Sequence, residues 1–397
     1  MNRSETGQGF PLLTVVEKTR MLPLLNLCLF FGVFALAYAN GSNDISKGVA
    51  TLVGSGVTNY QRAILWGTAW TTGGSLVSAY FSQGLVAAFS RGVVDSRFQI
   101  SSLFLNAVLM GAIGWVLFAT KTGLPVSTTH AIIGALCGAG VMAFGWHGIL
   151  WASVSKTILV PLLFSPLIAL MTLWILFPAL RRALTPLSKG CACAEARRVQ
   201  LAAAVGIAGS PVTDEPMPSM RLVVDHFDHC QASSATVVGF RLDDALHWFS
   251  SGLTSFARGL NDAPKIVALG TTLTLFLNQD SSLLFVVVAL AMGVGSLLGG
   301  SRVTKTLAEK ITIMSPVEGL SANLITSFMV AFASRWGIPV STTHVSSGAI
   351  IGLGLCRSGH SLQWKTVISM VQAWVITLPA AGLLAGTSWF ILDAFLS

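Results

Sequence analysis

GLPVSTTH at 123–130 returns as GIPVSTTH at 337–344, and each copy stands inside an apolar stretch. A second phrase returns as well. GSNDISKG begins at Gly41 and GLNDAPKI at Gly259, so Asn43, Asp44 and Lys47 each stand 218 positions before Asn261, Asp262 and Lys265. Ser127 and Ser341 are 214 apart, and Asn106 and Asn323, each alone in an apolar run between the phrases, are 217 apart. Three separate polar features that share one offset to within four residues mark an internal duplication. The chain must fold as two copies of one unit.

Composition says which solvent that unit faces. Of 397 residues, 53% are hydrophobic and only 10% charged, with a mean hydropathy of +0.72, far from the roughly 25% charge of an average soluble domain. This is an integral membrane protein in contact with a lipid bilayer. At about 20 residues per spanning helix there is room for about ten crossings, and ten to twelve membrane segments are expected. Apolar runs fall at about 22–39, 63–90, 103–119, 131–146 and 149–177, and again at about 246–257, 266–278, 283–299, 324–334, 345–356 and 366–396. The division is an N-terminal tail (1–21), a first transmembrane repeat (22–177), a hydrophilic linker (178–243) and a second transmembrane repeat (244–397). A signal-peptide reading of 22–39 is set aside, because the polar residues just beyond it recur deep in the chain.

The net charge of +8 reflects basic loops that set topology rather than affinity for nucleic acid, which is excluded as a partner. Arg181, Arg182, Lys189, Arg197, Arg198, Arg221 and Arg241 place the linker in the cytoplasm. Arg3, Lys18 and Arg20 in the tail pull the other way. With an odd number of crossings per half, the halves are inverted, as in many secondary transporters. The expected fold is therefore an all-α polytopic membrane protein with two inverted repeats, broken helices and re-entrant helical hairpins.

The repeated phrases carry the chemistry. Pro125 is a poor helix-interior residue, whereas Ser127 and Thr128 are good N-caps, so a helix starts there. The run from Gly123 to Gly140 is short for a crossing, which fits a hairpin tip at membrane depth lining a cavity. Free N–H groups at such a tip, joined by the hydroxyls of Ser127, Thr128 and Thr129, suit an oxyanion, and Ser341, Thr342 and Thr343 repeat the arrangement. The plainer alternative is that they only cap a buried helix.

An ionised Asp at mid-bilayer costs about 2.5–3.5 kcal/mol, so Asp44 and Asp262 demand a reason. With Asn43 and Asn261 they offer hard oxygens to a monovalent cation or contacts to the substrate. Lys47 and Lys265, three residues on, can neutralise them. His130 and His344 can bond substrate, relay a proton or brace the hairpins. Asn106 and Asn323 serve either cation sites or interhelical hydrogen bonds. Glu318 has no counterpart in the first half. In the linker, Cys191, Cys193, His226, His229 and Cys230 hold enough thiol and imidazole for zinc, but in no standard spacing, and an ordinary loop is the simpler reading.

The Asn-Asp motifs, the doubled Pro-Val-Ser-Thr-Thr-His and the central hydrophilic loop together resemble the inorganic phosphate transporter (PiT) family of cation-coupled symporters, over about residues 22–395. The resemblance implies two inverted repeats, one phosphate site between the hairpin tips and broken helices, coupling to Na+ or H+ without any cofactor, and a multi-pass place in a bacterial-type inner membrane. A homodimer is compatible with it. Lys47 stands where the family often has a small neutral residue, as in GANDVANA. The family also contains sulfate permeases. Phosphate can donate its proton to a carboxylate, whereas sulfate meets Asp44 and Asp262 only as acceptors, which favours phosphate. An intramembrane hydrolase using Ser127 and His130 is uneconomical, since an enzyme needs one nucleophile and this chain duplicates the constellation. A passive channel has less use for buried carboxylates.

Overall fold

The computed structural model describes residues 12–198, 218–227, 236–277, 280–357 and 362–396. The duplication shows in the order of elements. The first half runs α1 (Leu12–Asp44), α2 (Ser46–Gly54), α3 (Tyr60–Phe81), α4 (Gln83–Arg91), α5 (Ser102–Thr122), α6 (Thr128–Phe144) and α7 (151–184), the last with a π-helical stretch at Val154–Leu159. The second half repeats the series as α8 (Leu242–Leu269), α9 (Thr271–Leu277), α10 (Ser281–Gly299), α11 (Ser301–Glu309), α12 (Pro316–Arg335), α13 (Thr342–Cys356) and α14 (Trp364–Leu396).

Local chemistry sets the boundaries. Asn59, Ser101, Ser127 and Ser341 each cap a helix by accepting the backbone N–H three residues on. Gly123 and Gly337 open the two copies of the hairpin phrase with φ of 74° and 67°, a left-handed turn that glycine tolerates without strain.

The halves are interlocked reciprocally. Helix α1 packs on α10 of the second half while α8 packs on α3 of the first, and α6 lies on α14 while α13 lies on α7. Helices α6 and α13 meet at their N-terminal tips, and their remaining turns pack on α14 and α7 rather than on each other. Two equivalent helices that meet at their tips and pack elsewhere along their lengths are compatible with inverted repeats.

Lipid-facing and buried surfaces are sharply different. Leu163, Leu167, Ile175, Leu383 and Phe390 point outward, and among the described residues six segments are long and apolar enough to cross a membrane: Leu22–Gly54, Ser102–Thr122, Trp151–Lys189, Ser281–Gly299, Pro316–Arg335 and Trp364–Phe395. Helices α3 and α8 are also long, but they carry polar residues inward, which lowers their hydropathy. Apart from an isolated β-bridge between Val94 and Ile149, the departure from an all-helical chain among the described residues is in the linker. Strands β1 (Gly190–Arg198), β2 (Pro218–His226) and β3 (Thr236–Arg241) form an antiparallel sheet in the order β2-β1-β3.

Close crossings use glycine where helix backbones touch. A Cβ on Gly138 of α6 would strike the carbonyl oxygen of Gly382 on α14, whereas one on Gly73 of α3 meets nothing within 4 Å. Gly138→Ala should therefore cost about 1–3 kcal/mol by overpacking, read as a lower melting temperature and folded yield in detergent. Gly73→Ala should leave both unchanged, and equal behaviour of the two variants would contradict the crossing.

Candidate functional site

The Asn-Asp phrases are built differently in the two repeats. In the first, α1 ends at Asp44 and α2 begins at Ser46, and the Asn43 carbonyl at this break accepts from Ser46 Oγ (2.8 Å) and Lys47 Nζ (3.0 Å). In the second, α8 runs through NDAPK unbroken with Pro264 inside it, and stops only at Gly270. The expected helix break at the motif is thus present in the first repeat and replaced in the second by a proline, which removes one ladder hydrogen bond without ending the helix.

The hairpin tips are near copies. Ser127 (φ −94°, ψ 113°) and Ser341 (φ −97°, ψ 116°) hold the same extended backbone before α6 and α13. Each serine oxygen accepts from the N–H of its histidine, His130 or His344, at 3.2 Å, leaving the hydroxyl proton free to donate. The threonines meet the carboxylates: Thr128 Oγ1 donates to Asp44 Oδ2 (3.2 Å) and Thr342 Oγ1 to Asp262 Oδ2 (3.5 Å).

One amide ties these pairs together. Asn40 Nδ2 donates to Asp44 Oδ2 at 2.9 Å, to Asp262 Oδ2 at 3.3 Å and to Thr128 Oγ1 at 3.2 Å. Both aspartates and both tips therefore belong to one cluster. The amides of Asn43 and Asn261 hold the stretches leading to the tips by donating to the Leu124 carbonyl (3.1 Å) and the Val340 carbonyl (3.1 Å).

The lysines part company. Lys47 stays within its own phrase, 2.5 Å from Asp44 Oδ1 and 2.8 Å from Asn43 Oδ1. Lys265 lies 3.5 Å from Asp262 Oδ1 but also donates across the repeat boundary to Thr129 Oγ1 (2.8 Å), and to the Val340 carbonyl (2.8 Å). Thr343 Oγ1 makes the opposite crossing to the Val126 carbonyl (2.8 Å). The imidazoles of His130 and His344 sit 4.5 Å apart between ring centres, and His344 packs on Trp374, whose Nε1 donates to the Pro125 carbonyl (3.1 Å). All of these side chains belong to buried residues, closed off from solvent.

Other expected residues lie elsewhere or do something else. Asn106 donates to the Leu25 and Ser102 carbonyls (2.9 and 2.8 Å), bracing α5 against α1 rather than joining the cluster. Asn323 is buried on α12, and its carbonyl accepts from Thr254 Oγ1 (3.1 Å). Glu318 accepts the Ser315 N–H (2.7 Å) and pairs with Arg357 (2.7 Å), a helix-end role. In the linker, Cys191 and Cys193 are buried on one face of β1 and His226 ends β2. His229 and Cys230 lie outside the described residues, and among the described residues no three His, Cys, Asp or Glu side chains are grouped to hold a metal.

Sequence reading missed Asn40 and Arg258. Asn40 precedes the first phrase by one residue, and Arg258, 218 positions later, is its counterpart, buried on α8 one turn before Asp262. The signal for Arg258 was an arginine between the apolar runs 246–257 and 266–278, itself a reason to suspect function; the duplication hid it because the two positions hold different residues.

The arrangement offers two helix N-termini with hydroxyl donors, suited to an oxyanion, and carboxylate and amide oxygens, suited to a small cation or a protonated oxyanion. The sequence profile of the phosphate transporter family matches residues 40–385. The chain is 29% identical over 380 residues to a Rhizobium meliloti protein named "Probable low-affinity inorganic phosphate transporter", spanning 94% of this chain and 96% of that one. A Bacillus subtilis protein of the same name is 27% identical, over 94% of this chain and 98% of its own. Among solved structures, one described as "The sodium-dependent phosphate transporter" shares the fold, with a TM-score of 0.73 and 18% identity over 94% of this chain and 99% of that one.

The Lys47–Asp44 contact makes a stability prediction. Removing one partner of a buried ion pair costs about 3–5 kcal/mol because the other charge is left unanswered. Lys47→Ala should lower the melting temperature of the purified protein sharply, and adding Asp44→Asn should restore part of the loss. Additive losses in the double variant would contradict the pair.

Proposed function

Since this chain belongs to the phosphate transporter family, we propose that it moves inorganic phosphate across the cell membrane by symport with Na+ or H+, through alternating access around one site at the meeting of the two hairpin tips. The observation that carries the reading is the convergence of Thr128 and Thr342, from helices 214 positions apart in sequence, on two carboxylates that share the Asn40 amide.

In this reading Ser127, Thr129 and Ser341 supply hydroxyl donors directly, Thr128, Thr342 and Thr343 do so by exchanging their present acceptors for the anion, and the first turns of α6 and α13 supply backbone N–H groups and the positive ends of their dipoles. Neutral donors suit a carrier, which must release what it binds. Asp44 and Asp262 accept the proton that phosphate carries near neutral pH, or ligate the coupling cation; Asn43 and Asn261 fix the tip backbones at the correct height. His130 and His344 brace the two tips against each other. The cluster is closed to solvent, so entry and exit require the repeats to move, and the interlocked packing of α6 on α14 and α13 on α7 gives that motion a rigid lever.

The names of the relatives support phosphate as the substrate, and the sodium dependence named for the solved neighbour makes sodium the first cation to test. Labelled phosphate should accumulate in proteoliposomes when a sodium or proton gradient is imposed, with sulfate a poor competitor. Preferential uptake of sulfate would replace phosphate as the substrate.

Two sets of variants test the site. Ser127→Ala with Thr128→Ala, and Ser341→Ala with Thr342→Ala, should each reduce uptake by about tenfold or more, since each removes donors from the same anion; normal transport by either would break the shared site. Asp44→Asn and Asp262→Asn each leave a buried lysine without its carboxylate and should lower the folded yield, but the protein that folds should lose dependence on the driving cation. Unchanged cation dependence in both would assign the aspartates to structure.

A further inference from the structure

The buried cluster contains one more cation than it has carboxylates. Asp44 is matched by Lys47 and Asp262 by Lys265, both within 4 Å. Arg258, 1% exposed, makes no ion pair among the described residues. Its one hydrogen bond there is long and to a neutral group, from Nη2 to Ser296 Oγ at 3.4 Å, while Nε and Nη1 are buried with no partner. The guanidinium is nevertheless placed beside the cluster: Arg258 stands one helical turn before Asp262 on α8, Ser296 Oγ in turn donates to the Gly41 carbonyl in the first Asn-Asp phrase (3.2 Å), and both Asp44 and Asp262 lie within its electrostatic reach.

Leaving a guanidinium buried with two unmet donors is costly, and such groups are answered by an anion or by several acceptors. The carboxylate oxygens of the cluster are already engaged. Asp44 Oδ1 and Asp262 Oδ1 take Lys47 and the Asn261 amide with Lys265, and both Oδ2 atoms take Asn40 and a threonine. The duplication sharpens the point. The counterpart of Arg258 is Asn40, whose Nδ2 bridges the two repeats, so one half has a neutral bridging amide where the other has a charged fork.

We propose that Arg258 is the charged anchor of the transported oxyanion, binding a tetrahedral anion through its free Nε and Nη1 donors while the tip hydroxyls hold the anion's other oxygens. This rests on the functional reading above and adds to it that the site is asymmetric, with one repeat supplying the cation. A planar fork matches two oxygens of a tetrahedral anion, which a lysine in the same place does not. The same excess charge makes the site favour an anion over an empty, closed state.

The test uses purified full-length protein, with inorganic phosphate as the probe. Arg258→Gln should weaken phosphate binding by about tenfold to a hundredfold, as loss of hydrogen bonds to a charged group does, while Arg258→Lys, which keeps the charge and loses the fork, should fall between. Without phosphate, Arg258→Gln should melt at or above the wild-type temperature, because it removes an unanswered buried charge; the upward shift that phosphate gives the wild type should need about tenfold to a hundredfold more phosphate. A structural role predicts the reverse: lower intrinsic stability with the phosphate shift retained. Loss of folding in Arg258→Gln, or unchanged phosphate affinity, would overturn the assignment. If wild-type proteoliposomes take up no phosphate, the functional reading itself falls; if they do and Arg258→Gln binds as well as the wild type, only the anchor falls.

Discussion

Charge buried in a membrane protein must be answered by the protein, because lipid offers nothing in return. Asp44, Lys47, Arg258, Asp262 and Lys265 all lie buried in this chain, and much of the surrounding structure follows from keeping them there. Helices α3 and α8 carry hydroxyls and amides inward at the expense of their hydropathy, glycines let backbones cross closely enough to exclude lipid, and a further set of large apolar side chains, beyond those of the core, is turned outward. The Asn43 carbonyl freed at the break between α1 and α2 is taken at once by Ser46 and Lys47.

Duplication solves a second problem. A single re-entrant tip brings donors from one side only, whereas two equivalent tips meeting end to end can surround an anion. The crossings of Lys265 to Thr129 and of Thr343 to the Val126 carbonyl fasten each repeat to the other's tip. Symmetry is kept where both copies do the same work and lost where they do not. Lys47 stays at home while Lys265 reaches across, and Asn40 bridges where Arg258 stands with free donors.

The repeat, the membrane class and the residues of both phrases were legible in the sequence because they rest on identity and hydropathy, which need no coordinates. What joined them was not. Nothing in the spacing says that Asn40 links Asp44 to Asp262, since these contacts cross more than 200 positions of chain. Asn106 and Asn323 share the repeat offset, yet the Asn106 amide donates to two carbonyls while the Asn323 amide nitrogen is buried with no partner among the described residues, so equal spacing did not imply equal work. Arg258 escaped because repeat matching looks for likeness, and its importance lies in its difference from Asn40. The linker sheet escaped because the Gly, Ala and Glu of β1 are poor strand formers, and its pairing with β2 and β3 spans most of the linker.

The central claim is that two copies of the motif make one site. Binding of labelled phosphate to the purified chain at saturating concentration measures this directly, as moles bound per mole of polypeptide. A shared site predicts one phosphate per chain; two phosphates of similar affinity, one for each repeat, would contradict it.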